Sequence, residues 1–178
     1  MRKLSLKELN RPGIAEFREQ PKAPVVLVLD NVRSALNVGS AFRTADAFAL
    51  EKAWLCGITA TPPHREILKT AIGATESVIW EYEKDTVTAI RKLQDQGYQV
   101  LAVEQADKRD LLQDISIGKD QKYALVFGNE VEGVSEQAMA VVDGCVEVPQ
   151  FGTKHSLNIA VCIGIVVWEF FRQWKYGK

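Results

Sequence analysis

Short apolar runs of strand length recur along the chain: Val25–Leu29, Ala53–Cys56, Val78–Trp80, Val100–Val103, Ala124–Phe127 and Cys145–Val148. Several are continuous instead of alternating, the pattern of strands covered on both faces. The stretches between them read as helices. Ala35 to Phe48 can start at Asn37, a good N-cap, and sets Ala41, Ala45 and Phe48 on one side. Thr86 to Gln96 puts Val87, Ile90 and Leu93 on one face and stops before Gly97. From about Ser156 to Trp174 the chain is apolar through most of its length, which predicts a largely buried final helix. Residues 104–122 are charged, anchored by Leu111, Leu112, Ile115 and Ile117, and read as a loop with one short helix. Strand and helix in alternation predict a single α/β domain, a mainly parallel sheet with helices on both faces.

Composition narrows the class. A chain of 178 residues, 47% hydrophobic, fits one domain with a real core. Its longest unbroken apolar run, Ile159 to Trp168, is too short to span a bilayer, so no membrane association is expected. Residues Met1 to Glu8 lack the apolar segment of a signal peptide. Cys56, Cys145 and Cys162 are scattered in apolar runs without metal-ligand spacing. They read as small core residues of a protein from a reducing compartment, and the expectation is a cytoplasmic protein without a metal.

The net charge of −1 conceals an uneven distribution. Residues 1–22 form a basic N-terminal arm of +3 and residues 172–178 carry another +3, which leaves −7 on 23–171. Basic ends on an acidic body can reach phosphates, and they serve equally well as solvated termini; charge alone leaves both readings open. Residues 23–178 make up the domain itself.

The chemistry concentrates at strand exits, where α/β proteins bind ligands. Gly128-Asn129-Glu130-Val131-Glu132-Gly133-Val134-Ser135 follows one apolar strand, and Ser156-Leu157-Asn158 comes soon after another. A third patch, Asn37-Val38-Gly39-Ser40-Ala41-Phe42-Arg43, stands far upstream. No G-x-G-x-x-G follows the first strand and no G-x-x-x-x-G-K-[ST] occurs, which argues against a Rossmann dinucleotide site and a P-loop. Asn37, Gly39 and Arg43, then Gly128-Asn129-Glu130 with Gly133, then Ser156-Leu157-Asn158 resemble, in that order, three signature motifs. These are the motifs of the SpoU-type (TrmH-like) RNA 2′-O-ribose methyltransferases of the SPOUT superfamily, and the resemblance runs from about Val25 to Trp168. It implies a C-terminal trefoil knot with S-adenosylmethionine bent among its loops. It further implies methyl transfer to a ribose 2′-hydroxyl of structured RNA, and a homodimer formed through the knot region.

The resemblance also assigns roles, each beside a plainer reading. Arg43 matches the family's catalytic arginine; read alone, it is an exposed helix residue paired with Asp46 at i+3. A guanidinium loses its proton only above about pH 12, so gripping a phosphate and stabilising a developing alkoxide suit it better than proton abstraction. Asn37 is a helix cap, an orienting amide for Arg43 or substrate, or both. Gly39 is expected where a side chain would obstruct the substrate or the knot. Glu130 is a turn residue or a cap for a helix starting near Ser135, or the family's active-site glutamate holding Arg43 or Asn158. Ser156 and Asn158 are helix caps or contacts to ribose or Arg43. The expected catalytic set is thus Arg43, Asn37, Glu130, Ser156 and Asn158. On the cofactor side, Gly128 is expected to admit the adenosine close to the backbone, while Val148 and Leu157 line the adenine pocket. His155 adjoins Ser156, but nothing supplies the acid of a Ser-His-Asp arrangement. His64 reads as a surface loop residue. Gln150 departs from the family, where methionine is frequent.

Two further readings remain: the same chemistry on ribosomal RNA, and a catalytically silent RNA-binding module of the same fold. Relatives with a large extra N-terminal RNA-binding domain often act on ribosomal RNA. Only about 24 residues precede the first strand here, so transfer RNA is the preferred substrate.

Overall fold

The computed structural model describes residues 1–177. After a 3-10 turn at Leu6–Leu9 come α1 (Ile14–Glu19), β1 (Ala23–Asp30), α2 (Ala35–Ala47) and β2 (Leu50–Cys56). Next are α3 (Arg65–Ala71), α4 (Ala74–Ser77), β3 (Trp80–Glu83), α5 (Thr86–Asp95) and β4 (Tyr98–Val103). The last third holds β5 (Asp110–Leu111), β6 (Lys122–Phe127), α6 (Glu136–Met139), β7 (Gly144–Glu147) and α7 (Ile159–Tyr176). Seven strands form one sheet in the order β3-β2-β1-β6-β4-β7-β5, and every pairing is parallel. Strands that share a direction all end at the same edge, so the loops carrying the motifs gather there.

Alternate side chains of the central strands serve opposite layers. Val25, Leu27 and Leu29 of β1, with Leu125 and Phe127 of β6, pack with Val38 and Phe42 of α2 and Ile163, Val166 and Phe170 of α7. Val26, Val28, Ala124 and Val126 face Ala89, Ile90 and Leu93 of α5. Both faces are covered, which is why these strands read as unbroken apolar runs. The single parallel α/β domain is therefore as the pattern predicts.

Several local expectations are revised. The cap of α2 is Ser34, whose hydroxyl accepts from the Asn37 N–H at 3.3 Å. Asn37 thus lies within the first turn, with its side chain released from capping. Residues 104–122 contain no helix: apart from the two-residue β5 and the first residue of β6 they run irregularly, and the last helix holds residues 115–117. Gln173, buried on α7, accepts from the Ile117 N–H at 3.0 Å and donates to the Ile115 carbonyl at 3.1 Å. A side-chain amide satisfies backbone that a helix would otherwise have satisfied. The strand expected at Val78 starts at Trp80, because Ala74–Ser77 turn as a helix and Val78 fills the core beneath them. The final helix starts at Ile159, capped by Asn158. In the basic arm, Phe17 of α1 is buried and the Lys22 ammonium sits 3.2 Å above its ring centre. Among the described residues no helix is long and apolar enough to cross a membrane.

Gly39 answers to packing of α2 on α3. A Cβ there would overlap the Ile67 carbonyl and the Thr70 hydroxyl, so the obstruction is neighbouring backbone, in place of the substrate or knot contact expected. Gly39→Ala should cost about 1–3 kcal/mol through forced separation of the helices. Urea denaturation measures this, and an unchanged midpoint would show that α3 yields freely.

Candidate active site

The ends of β4, β6 and β7 and the start of α7 enclose a cleft of about 520 Å³. Val103, Phe127, Val148, Leu157 and Ile159 supply its apolar lining, and Glu104, Glu130, Glu132 and Glu147 its carboxylates. The loop after β6 shapes one side. Asn129 and Gly133 exchange backbone hydrogen bonds of 3.0 and 3.1 Å, and the Asn129 side-chain oxygen accepts from the N–H groups of Val131 and Glu132, both at 2.8 Å. A Cβ on Gly128 would overlap the backbone of Gly133 and Val134. Closure of its own loop therefore requires Gly128, which also lines the cleft.

Carboxylates tie that loop down. Glu104, at the exit of β4, accepts from the Val134 N–H at 3.1 Å and from the Gln105 N–H at 2.8 Å. Asp30, fully buried at the end of β1, accepts from the Ser135 N–H at 2.8 Å and from the Thr86 hydroxyl at 2.6 Å. Gln105 reaches the other side of the cleft, donating its amide to the His155 carbonyl at 2.6 Å.

The three motifs meet through Asn37. Its amide nitrogen donates to Glu130 at 2.9 Å, and its amide oxygen accepts from the Asn158 amide at 3.4 Å. Asn158 in turn accepts from the Ala160 N–H at 2.9 Å and so caps α7. Glu130 also accepts from the N–H groups of Ser34 and Arg33 at 3.3 and 3.4 Å. Burial pushes the Glu130 carboxyl up, but the hydrogen bonds from Asn37 and from the backbone of Glu130, Arg33 and Ser34 outweigh it. The net effect holds Glu130 below its ordinary range. Its partner is the start of α2, and neither Arg43 nor the start of α6 takes that place.

Ser156, Leu157 and Val148 line the cleft as well. Ser156 does not cap α7, since Asn158 takes that role. Arg43 lies elsewhere. It is exposed on α2 and lines a second groove with Ser40, Thr44, Phe48, Lys69 and Thr70. Its expected partner Asp46 accepts instead from the Ser77 hydroxyl. His64 caps α3, its ring nitrogen accepting from the Glu66 N–H at 3.2 Å. Cys162 borders the cleft, but burial pushes its thiol up to about 11, and Cys56 is pushed up to about 12. A thiol that stays protonated at neutral pH is a poor nucleophile.

The sequence profile of the SpoU rRNA Methylase family matches residues 24–168. The chain belongs to this family. As a SpoU methylase it is an enzyme of the RNA 2′-O-methyltransferase kind. Among its relatives is the tRNA (guanosine(18)-2′-O)-methyltransferase of Thermus thermophilus, 29% identical over 167 residues, covering 93% of this chain and 84% of the relative. A 23S rRNA (guanosine-2′-O-)-methyltransferase of Vibrio parahaemolyticus is also 29% identical, with 94% of this chain and 66% of the relative covered. The AdoMet-bound rRNA methyltransferase of Sinorhizobium meliloti superposes with a TM-score of 0.78 at 26% identity, over 88% of this chain and 60% of that one. The TrmH/SpoU tRNA modifying enzyme of A. aeolicus shares the fold, with a TM-score of 0.79 at 24% identity over 94% and 82% of the two chains.

This SpoU methylase carries two cleft residues that motif reading passed over, Glu104 and Gln105. The available signal was their place directly after the apolar run Val100–Val103, at a strand exit like those of the other motifs.

The Glu130 carboxyl sits lower in the fold than in the unfolded chain, so its charge stabilises the fold above the ordinary glutamate range. That contribution fades as pH falls from about 4.3 through the lowered folded value. Wild type should therefore exceed Glu130→Gln in stability at neutral pH, and the two should converge in acid. Thermal unfolding across pH checks this, and a constant difference between them would contradict the assignment.

Proposed function

We propose that this SpoU methylase transfers a methyl group from S-adenosylmethionine to a ribose 2′-hydroxyl of transfer RNA, acting as a homodimer in the cytoplasm. The observation that carries the reading is the hydrogen-bonded chain Glu130–Asn37–Asn158 beside a partly apolar, partly acidic cleft at the sheet edge.

The cleft suits S-adenosylmethionine by the chemistry of its groups. Its volume lies in the range of small-molecule sites. Val148 and Leu157 would cover the adenine, and the carboxylates around them suit a ligand that carries a sulfonium and an ammonium. Bound there, the cofactor supplies an electrophilic methyl group. The chain's own residues do the rest. Asn158 and Ser156 orient the ribose, which brings the hydroxyl oxygen into line. Asn37 fixes Asn158, and Glu130 fixes Asn37. A carboxyl held below its ordinary range is a weak base, so Glu130 holds these amides in place. The hydroxyl proton passes to solvent as the oxygen takes the methyl group and S-adenosylhomocysteine leaves. Arg43 grips a phosphate of the same RNA strand near the target ribose and so holds the strand in register.

Support for transfer RNA is the Thermus relative, 84% of which the chain covers, against 66% of the Vibrio ribosomal RNA enzyme. Free thiols at Cys56, Cys145 and Cys162 support the cytoplasm. The trefoil knot belongs to the same proposal. Its support is that the loops after β6 and β7 are both fastened to one end of β4, by Glu104 and Gln105. Support for the dimer is a stripe on α7, where Val161, Ile165 and Trp168 stand one turn apart and are 53%, 38% and 46% exposed. A twofold partner would bury them. The Trp168 and Phe48 rings meet at a tilt of 53° with their centres 5.9 Å apart, and Phe48 shares a groove with Arg43. The dimer face therefore adjoins Arg43, a family-matched residue that lies outside the chain's own cleft.

Incubating the pure protein with labelled S-adenosylmethionine and RNA from a strain lacking the gene tests the function. Label should enter transfer RNA at a ribose 2′-oxygen. Label in ribosomal RNA alone would move the substrate, and cofactor binding without transfer would make this a silent RNA-binding module. Arg43→Ala should abolish transfer while calorimetry shows cofactor affinity within a few fold of wild type; lost cofactor binding in the folded variant would put Arg43 in the donor subsite. Sedimentation at low micromolar concentration should give a dimer, and an active monomer would remove the partner from the proposal.

A further inference from the structure

The groove between α2 and α3 holds chemistry that the cleft does not use. It encloses about 420 Å³, and its wall contains Arg43, Lys69 and the hydroxyls of Ser40, Thr44 and Thr70, but no carboxylate. Two of the hydroxyls are committed as donors, since Ser40 and Thr70 both donate to the Leu36 carbonyl, at 3.0 and 2.9 Å. The donors left facing the groove are the Arg43 guanidinium, the Lys69 ammonium and the Thr44 hydroxyl. Acids nearby leave these cations alone. Asp46 accepts from Ser77, and among the described residues Glu66 forms no ion pair with Lys69 or Arg43. Two cations without an ion pair among the described residues, on one groove wall with the Thr44 hydroxyl, complement an oxyanion with several acceptor oxygens.

We propose that this groove binds a backbone phosphodiester of the RNA substrate, gripped by Lys69 together with Arg43, so that Lys69 is a positioning residue for the RNA. The inference rests on the RNA-methylating function proposed above. Its position on α2 favours RNA over a free anion. Asn37 belongs to the motif chain at the cleft, and Arg43 follows six residues later, about 9 Å along the helix axis. That span equals roughly two to three steps of a stacked strand at about 3.4 Å each. A strand with its reacting ribose at Asn158 therefore passes the groove within a few nucleotides.

Lys69→Gln and Lys69→Arg decide the matter, assayed on bulk transfer RNA from a strain lacking the gene and titrated with that RNA from 50 to 200 mM salt. Lys69 is exposed on α3, so neither change disturbs the core. Lys69→Gln should raise KM for RNA by about fivefold, with the loss in kcat/KM carried by KM. It should also make the salt dependence of RNA binding shallower by about one unit. Lys69→Arg should restore most of both, and S-adenosylmethionine affinity by calorimetry should match wild type in each. A wild-type KM and salt slope in Lys69→Gln would overturn the inference. So would dissociation of the dimer by Lys69→Gln, which would make the groove an interface between copies. Competition by inorganic phosphate that Lys69→Gln abolishes without a change in RNA binding would reduce it to a small-anion site, and also overturns it. If wild type binds S-adenosylmethionine but labels no RNA, the proposed function fails and this inference with it; if wild type labels RNA and Lys69→Gln equals it, only this inference fails.

Discussion

The Glu130 carboxylate stands exposed at the rim of the cleft, and the several donors it gathers organise the site. α2 has no acidic residue in its first turn, so its free N–H groups lack a local anion. Glu130 supplies one from 93 residues away, taking the Asn37 amide and the N–H groups of Arg33 and Ser34. This contact settles the orientation of two amides. Once the Asn37 nitrogen is committed to Glu130, its oxygen must face Asn158, and the Asn158 oxygen is then left to cap α7. Three segments distant in sequence are thus held in one arrangement by a single charge.

The same device recurs around the cleft and gives the acidic body of the protein a physical sense. Glu104 and Asp30 each receive backbone N–H groups from the loop after β6, and Asp143 receives the Val100 N–H at 2.7 Å. Several of the surplus acids are internal acceptors that pin loops. An RNA strand approaching such a body needs cations placed apart from them, and Arg43 and Lys69 occupy a groove without carboxylates.

Glycines within the motifs show how one local cue admits two causes. A glycine marks a place where something comes close to the backbone. At Gly39 the neighbour is the Ile67 carbonyl on α3, and at Gly128 it is the backbone of Gly133 and Val134. Both positions were legible as close approaches. Whether the approaching group is ligand or protein depends on the partner segment, which the local sequence does not contain.

The five central strand runs, the parallel architecture and the buried last helix were legible in the order of residues, because burial on one or two faces leaves a period of its own in the chain. The short β5 and the start of β3 at Trp80 were not. The motif order also singled out Glu130, Val148, Ser156, Leu157 and Asn158, all of which line one cleft, and Asn37, which bonds to two of them. Tertiary structure alone decided the rest. It made Ser34 the cap in place of Asn37, and used Gln173 to hold residues 115–117. It added Glu104 and Gln105 to the cleft and turned Arg43 away from it into a groove shared with Lys69. These outcomes depend on β6 lying between β1 and β4, which sets residues 93 and 121 positions apart within hydrogen-bonding reach. Periodicity reports which face of an element is covered; the identity of what covers it is a property of the whole sheet.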